Sequence, residues 1–186
     1  MTNLLRALAI AGMLVLDLGT ANAAPLDDAK AAFERSDTAT ALKLFRPLAE
    51  QGDATAQLYL GVMYVGGAGV AKDEKEGAKW FRLSAAQGNA DAQCNLGLMY
   101  VSAQGVAADF QEAAKWYRLA ADQGNARAQF SLGAMYLNGM GVAKDETEAA
   151  RLLRLSAEQG NAEAQNLLGD MFGNVERTAA DKQEAI

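Results

Sequence analysis

The chain has 186 residues, of which 51% are hydrophobic and 22% charged, and a formal net charge of −6 at pH 7. This is the composition of a globular protein that lacks the basic surface needed to bind nucleic acids or anionic membranes. The absence of histidine excludes Ser-His-Asp and Cys-His catalytic sites and histidine metal ligands, and one cysteine, Cys94, excludes an intrachain disulfide and a thiolate cluster.

Residues 1–23 are predicted to be a secretory signal peptide. Arg6 precedes a short apolar run from Ala7 to Val15, and Ala21-Asn22-Ala23 matches the small-x-small pattern of a cleavage site. Asp17 leaves open whether this site is cleaved. The alternative is an amphipathic or membrane helix, although the apolar run is shorter than the ~20 residues that a span needs. We therefore expect a periplasmic or secreted protein.

Residues 24–52 are predicted to form an N-terminal helical hairpin that caps the remainder of the chain. Its two helical segments are Asp27 to Glu34 and Thr38 to Glu50, joined by Arg35-Ser36-Asp37.

The rest of the chain repeats every 36 residues. The segments that begin at Ala54, Ala90 and Ala126 align without a gap, and a fourth begins at Ala162. The predicted units are repeat 1 (53–88), repeat 2 (89–124), repeat 3 (125–160) and a truncated repeat 4 (161–186).

Each repeat contains two segments with helical periodicity, which we name helix A and helix B. Ala56, Leu60 and Met63, together with Tyr64, form one apolar stripe on the first helix A. Ala78, Phe81 and Ala85 form a similar stripe on the first helix B, with Trp80 and Leu83 beside it. The glycine that recurs on helix A, Gly61 in repeat 1, is expected to allow a neighbouring helix to approach closely. The pattern predicts an all-α fold of antiparallel helix pairs.

The helix boundaries are also visible in the sequence. Asp73-x-x-Glu76 resembles a capping box and recurs twice, so helix B should begin there with the Glu side chain reaching back to the cap. Each helix A should be capped by the residue that follows a Gln-Gly pair, and the glycine of that pair should end the preceding helix. These four capping residues are Asp53, Asn89, Asn125 and Asn161. The glycines between helices A and B should allow positive φ angles, and the valine after them should fill the gap between the helices.

With these motifs the chain resembles the Sel-one-like repeat (SLR) proteins, a 36-residue relative of the tetratricopeptide repeat. The resemblance rests on Ala-x-Ala-Gln-x-x-Leu-Gly-x-Met-Tyr, Gly-x-Gly-Val, Asp-x-x-x-Ala-x-x-Trp-Phe/Tyr and Ala-x-x-Gly-Asn, and covers residues 38–185. It implies a right-handed α/α superhelical solenoid in which helices A line a concave face, and a role as adaptor or scaffold. A cysteine-rich branch of the family is associated with β-lactam binding or hydrolysis, and this chain lacks the paired cysteines of that branch.

The helix A positions that vary between repeats are the candidate partner-binding site, because recurring positions should form the core. They are spaced i, i+4, i+7, and we name them the A-helix stripe. Its members are Thr55, Tyr59, Val62, Asp91, Asn95, Leu98, Arg127, Ser131, Ala134, Glu163, Leu167 and Asp170. Tyr59 and Arg127 are the expected anchors, and removing both is expected to leave the melting temperature unchanged. The alternative is a solvated surface without a partner.

Other recurring residues are assigned structural roles, with a binding role as the alternative in each series. An arginine series is assigned to surface ion pairs, which are common, and the alternative is a grip on an acidic partner or a glycan. Its members are Arg46, Arg82, Arg118 and Arg154. The tryptophans, Trp80 and Trp116, and the methionines are expected in the core. The glutamines at position 57 and its equivalents should bond backbone groups between helices, and Cys94 should be a half-buried small apolar residue.

The sequence thus predicts an exported, non-enzymatic scaffold that binds another protein or a peptide segment, with no cofactor, no metal, no nucleic acid and no membrane after signal cleavage. Adjacent carboxylates such as Asp27 and Asp28 point apart on a helix and do not indicate a catalytic pair. A cell-wall or β-lactam-directed factor is the first alternative. The second is self-association through the uncapped C-terminal repeat, at Leu168, Met171 and Phe172.

Overall fold

The computed structural model of the chain describes residues 23–171. Residues 1–22 of the predicted signal peptide, and the part of repeat 4 from Phe172 onward, lie outside this range. Helices account for all regular secondary structure within it: α1 (Ala23–Glu34), α2 (Thr38–Glu50), α3 (Ala54–Gly66), α4 (Glu74–Ala86), α5 (Ala90–Ser102), α6 (Phe110–Asp122), α7 (Ala126–Asn138), α8 (Glu146–Glu158) and α9 (162–171).

The predicted all-α solenoid of helix pairs with a 36-residue repeat is confirmed. Helices α3, α5, α7 and α9 are the predicted helices A, and α4, α6 and α8 are the predicted helices B. Helix α2 is counted with the helices B, because its Phe45 and Arg46 lie 36 residues before Phe81 and Arg82. Helix α1 begins four residues earlier than expected, at Ala23 instead of Asp27. Pro25 is tolerated there because the first-turn N–H groups of a helix have no partner inside the helix.

The chain divides into two compact units between Trp80 and Phe81. The first unit has a core of small and aromatic side chains around Phe45, Leu60 and Met63. The core of the second unit surrounds Tyr117 and Leu132. The predicted apolar stripes are buried except for Tyr64, which is half-buried. The buried members are Ala56, Leu60 and Met63 on the first helix A, and Ala78, Phe81 and Ala85 on the first helix B.

The predicted caps of the A helices are all formed. The side chain of Asp53 accepts a hydrogen bond from the amide of Ala56 at 2.7 Å. Asn89, Asn125 and Asn161 make the same contact with the third residue after them, at 2.9 to 3.0 Å. A short side chain at each position thus satisfies an amide that the helix itself leaves free.

In the predicted capping boxes of the B helices, the hydrogen bond to the Asp side chain forms and the one to the Glu side chain does not. Asp73 caps α4 by accepting from the Glu76 amide at 3.0 Å, and Asp109 and Asp145 do the same for α6 and α8. The Glu side chain does not reach back, because the amide of Asp73 already donates to the carbonyl of Tyr64 at 2.9 Å. Glu76 pairs with Lys79 at 2.6 Å instead.

Glycines with positive φ end the helices and shape the loops, as predicted. The Gln-Gly glycines have φ between 86° and 99°, and the loop glycines between helices A and B have φ between 67° and 73°. Val142, which follows one of these loops, packs against the second core. Ala103 occupies the place of Gly67 and Gly139 and has a φ of 56°, a conformation that a Cβ atom disfavours.

Replacing Ala103 with glycine is therefore expected to stabilise the protein by about 1 kcal/mol. Urea denaturation followed by circular dichroism would measure the gain. Ala107→Gly in the same loop is the control, because Ala107 has no positive φ and glycine there only adds entropy to the unfolded chain. Equal effects of the two substitutions would contradict the assignment of strain to Ala103.

Candidate functional site

In the first unit, the A-helix stripe comprises Thr55, Tyr59 and Val62 on α3, all half-buried. The ring of Tyr59 stacks on that of Phe45, with centroids 4.6 Å apart and planes 8° apart. It also meets the ring of Phe33 edge-on at 5.2 Å. Phe45 is fully buried, so Tyr59 forms part of the core boundary. Because this ring packs against the core, we now expect removal of Tyr59 to lower the stability of the protein, contrary to the expectation from the sequence.

In the second unit, side chains of the stripe from α5 and α7 meet. The guanidinium of Arg127 donates from Nη2 to Oδ1 of Asn95 at 3.2 Å. The side chain of Asn125, the cap of α7, donates from Nδ2 to Oδ1 of Asp91 at 2.8 Å. Arg127 and Asp91 are exposed and Asn95 is half-buried. These two hydrogen bonds both join α5 to α7, and we name the three stripe residues Asp91, Asn95 and Arg127 the Arg127 cluster.

The other members of the stripe differ in their solvent exposure. Leu98 is 44% exposed, and Ser131 and Ala134 are half-buried on α7. On α9, Glu163 and Asp170 are exposed and Leu167 is half-buried. Within residues 23–171, no hydrogen bond or ion pair joins these three residues to the Arg127 cluster. Leu168 and Met171 of the predicted self-association surface are half-buried, and Phe172 lies outside the described residues.

Tyr117 on α6 is a buried residue whose electrostatic neighbours include Ser131 and Arg127 of the stripe. Its side chain is only 3% exposed, and burial raises its pKa to about 12, while a side-chain hydrogen bond with Ser131 and the charge of Arg127 act in the opposite direction. Its ring passes over Gly97, where an added Cβ would lie 2.9 Å from the ring atoms. The glycine that recurs on helix A thus allows the close approach that was predicted.

Tyr59 and Tyr117 take part in the same kind of contact in different repeats. Phe45 stacks on Tyr59, and Tyr117 bonds to Ser131; in both cases a helix B residue meets the residue fourteen positions later, on the next helix A. The helix B position holds Phe45, Phe81, Tyr117 and Leu153 in successive units. Tyr117 carries the only hydroxyl of this series, which is the sequence signal that could have identified it.

The recurring glutamines bond backbone groups between helices, as predicted. Nε2 of Gln57 donates to the carbonyl of Ala49 at 3.1 Å. Gln93, Gln129 and Gln165 make the equivalent bond at 3.1 to 3.3 Å. These side chains satisfy carbonyls near the ends of the B helices and are therefore part of the scaffold.

The recurring arginines have a structural partner that the sequence analysis did not name. Arg46, Arg82 and Arg118 each donate from Nη2 to the hydroxyl of the tyrosine eighteen residues later, at 3.3, 3.3 and 2.6 Å. The guanidiniums of Arg82 and Arg118 also lie 5.9 and 5.8 Å from the ring centroids of those tyrosines. Hydrogen bonding and cation–π attraction thus join each helix B to the next helix A.

Cys94 is buried more completely than expected, with 3% of its surface exposed. Burial is the main cause that raises the pKa of its thiol, so the reactive thiolate is disfavoured at neutral pH. Among residues 23–171, no three acidic or cysteine side chains are grouped to hold a metal ion. No helix in that range combines the length and apolar character required to cross a bilayer.

Comparison with known proteins identifies the repeat. The family model of the Sel1 repeat matches five consecutive segments, 30–53, 54–89, 90–125, 126–161 and 162–186. The first match includes most of the hairpin predicted as a separate cap. No curated protein matches the chain.

Solved structures show the same fold. The chain is 38% identical, with a TM-score of 0.78, to c5321, a protective antigen present in uropathogenic Escherichia coli strains that displays an SLR fold. It is 32% identical, with a TM-score of 0.74, to a Sel1 repeat protein from Oxalobacter formigenes. The matches cover 82% and 77% of this chain but 34% and 59% of those proteins. Helicobacter pylori cysteine rich protein B, at 20% identity and a TM-score of 0.57, shares the fold over 71% of this chain and 95% of its own.

Proposed function

Because the chain belongs to the Sel1 repeat family, whose members generally act as scaffolds for protein interactions, we propose that it is an exported, non-enzymatic scaffold. It binds another protein through the A-helix stripe, and the Arg127 cluster is the centre of that contact in the second unit.

The observation that carries this proposal is the contrast between recurring and varying contacts. The recurring glutamines and arginines form hydrogen bonds between helices. Among the varying residues, Arg127 bonds to Asn95 at the surface, and Asp91 accepts from the side chain of the cap Asn125. In repeat proteins such varying surface positions are free to recognise a partner, and arginine is enriched among the residues that dominate binding.

The hydrogen bonds of the cluster leave several polar groups available for a partner. Asn95 accepts from Arg127 through Oδ1, which leaves its amide hydrogens and the remaining guanidinium donors for the partner. Asp91 adds an acceptor one helical turn from Asn95, so the cluster combines donors and an acceptor. This supports recognition of a polar peptide segment.

Removing Arg127 and Asn95 is expected to abolish partner capture without unfolding the protein. Neither side chain is in the core, so the melting temperature should change little, whereas an arginine anchor can contribute about 2 kcal/mol or more to binding, roughly a thirtyfold loss of affinity. Capture would be measured by quantitative mass spectrometry after pull-down from a periplasmic extract, with Arg127→Ala and Asn95→Ala compared with wild type.

Arg118→Ala is the matched control, because it removes a guanidinium of the recurring series and leaves the stripe intact. Proteins retained by wild type and by Arg118→Ala but lost with Arg127→Ala would support the proposal. Equal capture by all three proteins would contradict it. Tyr59 is not used in this test, because its ring packs on Phe45 and its removal would change stability as well.

Export is supported by the predicted signal peptide over residues 1–23, and the description of one relative as a protective antigen agrees with it. N-terminal sequencing of the protein from a periplasmic fraction would test it, with Ala24 expected as the first residue. The non-enzymatic role is tested by incubation with nitrocefin and with cell-wall fragments, where turnover would contradict it.

A further inference from the structure

Three leucines recur at the repeat spacing but lie on the outside of the second unit. Leu83, Leu119 and Leu155 occupy the same position on α4, α6 and α8 and are 50%, 48% and 36% exposed. Other recurring apolar residues of this unit, such as Met99 and Met135, are buried. A single exposed leucine needs no explanation, but exposed leucines at the same position of three successive helices B point to a binding surface.

Charged residues flank these leucines in a fixed order along α6 and α8. Lys115 lies four residues before Leu119, and Asp122 lies three residues after it; on α8 the corresponding residues are Arg151 and Glu158. Residues at these spacings lie on one side of a helix. Each helix therefore presents a cation, a leucine and a carboxylate in sequence, and we name this surface the B-face.

The cations of the B-face remain accessible although each has a partner on its own helix. Lys115 pairs with Glu112 at 2.9 Å and Arg151 with Glu148 at 2.7 Å, yet their side chains are 66% and 55% exposed. Hydrogen bonding to Glu148 is the main cause that raises the pKa of Arg151, and Asp122 adds to it. Because Tyr117 of α6 and Leu152 of α8 are buried in the same core, both helices pack on that core and their exposed leucines can contribute to one surface.

We propose that the B-face binds a second copy of this chain, with a two-fold axis in the interface along the row of leucines. Rotation about that axis reverses the helix direction and keeps the order of the repeats. Leu119 then meets Leu119 of the second copy, Lys115 faces Asp122 of the second copy, and Arg151 faces Glu158 of the second copy.

Charge decides between this arrangement and its alternative. With the two-fold axis parallel to the B helices, the helices of the two copies would run in the same direction, and Lys115 would face Lys115 of the second copy. The antiparallel arrangement replaces these repulsions by attractions between opposite charges. No residue of the A-helix stripe belongs to the B-face, so self-association does not depend on the partner binding proposed above.

The test uses the full chain and measures its association by sedimentation velocity. Wild type is expected to form dimers, and Leu119→Glu is expected to be monomeric, because it places two carboxylates against each other on the axis. Lys115→Glu should weaken the dimer about tenfold, as two attractive pairs become repulsive. Asp122→Lys should do the same.

The double variant Lys115→Glu/Asp122→Lys distinguishes the proposal from a general effect of charge. It restores opposite charges across the interface and should dimerise like wild type. Lys144→Glu, which changes the same charge in the loop before α8, should have no effect. Circular dichroism melting would verify that each variant is folded.

Three outcomes would overturn the proposal. A monomeric wild type at the highest soluble concentration would do so, as would a double variant that dissociates more than either single variant. A dimer that persists in Leu119→Glu and disappears in Leu168→Glu would place the contact at the C-terminal repeat instead.

Discussion

Gly141→Ala is expected to lower the free energy of unfolding by about 2–5 kcal/mol, from the cost of a positive φ and of overpacking together. Gly141 lies in the loop between α7 and α8 with a φ of 68°. An added Cβ would press on the carbonyl group of Phe110 and lie 2.8 Å from the amide of Gln111. Both contacts involve backbone at the start of α6, which a change of rotamer cannot relieve.

Gly124→Ala is the matched control for this prediction. Gly124 has a φ of 86°, so alanine is strained there as well, but no atom lies within 4 Å of the added Cβ. It should therefore lose only about 1–2 kcal/mol. Urea denaturation of both variants separates the conformational term from the steric one, and equal losses would show that the contact with Phe110 is unimportant.

Trp80→Ala has the second large expected effect, a loss of about 3–5 kcal/mol, because removing an indole that packs against the core leaves a cavity. Trp80 packs against the first core. Its Nε1 is buried without a hydrogen-bond partner among the described residues, so the indole stabilises the unit by apolar packing alone.

Trp80→Leu should cost clearly less than Trp80→Ala. The chain itself has leucine at this position in two other units, Leu44 and Leu152, and leucine removes the unpaired donor while it fills part of the space. Chemical denaturation followed by far-UV circular dichroism would compare the variants. Similar losses for alanine and leucine would indicate that the N–H group has a partner and contributes to stability.

The repeat, the helix pairs and most helix ends could be predicted because they depend on local signals. Asp53 and Asn89 bond to amides three residues away, and Gly88 needs only its own positive φ. The predicted bond from the Glu side chain of each capping box does not form, because a contact with another helix takes its place. The amide of Asp73 bonds to Tyr64 on the preceding helix, and no short-range pattern reveals that bond.

The candidate site was predicted less completely, because it depends on contacts between helices. The spacing i, i+4, i+7 predicted that the varying residues share one face of each helix. In the structure, Arg127 donates a hydrogen bond to Asn95. The same spacing treated Tyr59 as a free anchor, although Phe45 stacks on its ring. It also omitted Tyr117, whose hydroxyl reaches Ser131 from helix B.

The sequence by itself therefore determined the all-α repeat and its 36-residue period, because each unit repeats the same caps, turns and apolar spacing. Only the tertiary structure decided that the recurring leucines of the B helices are exposed. Met99 and Leu119 both recur and are both apolar, yet one is 2% exposed and the other 48%. Burial depends on which face the neighbouring helices cover, and the packing of helices from different repeats sets that face.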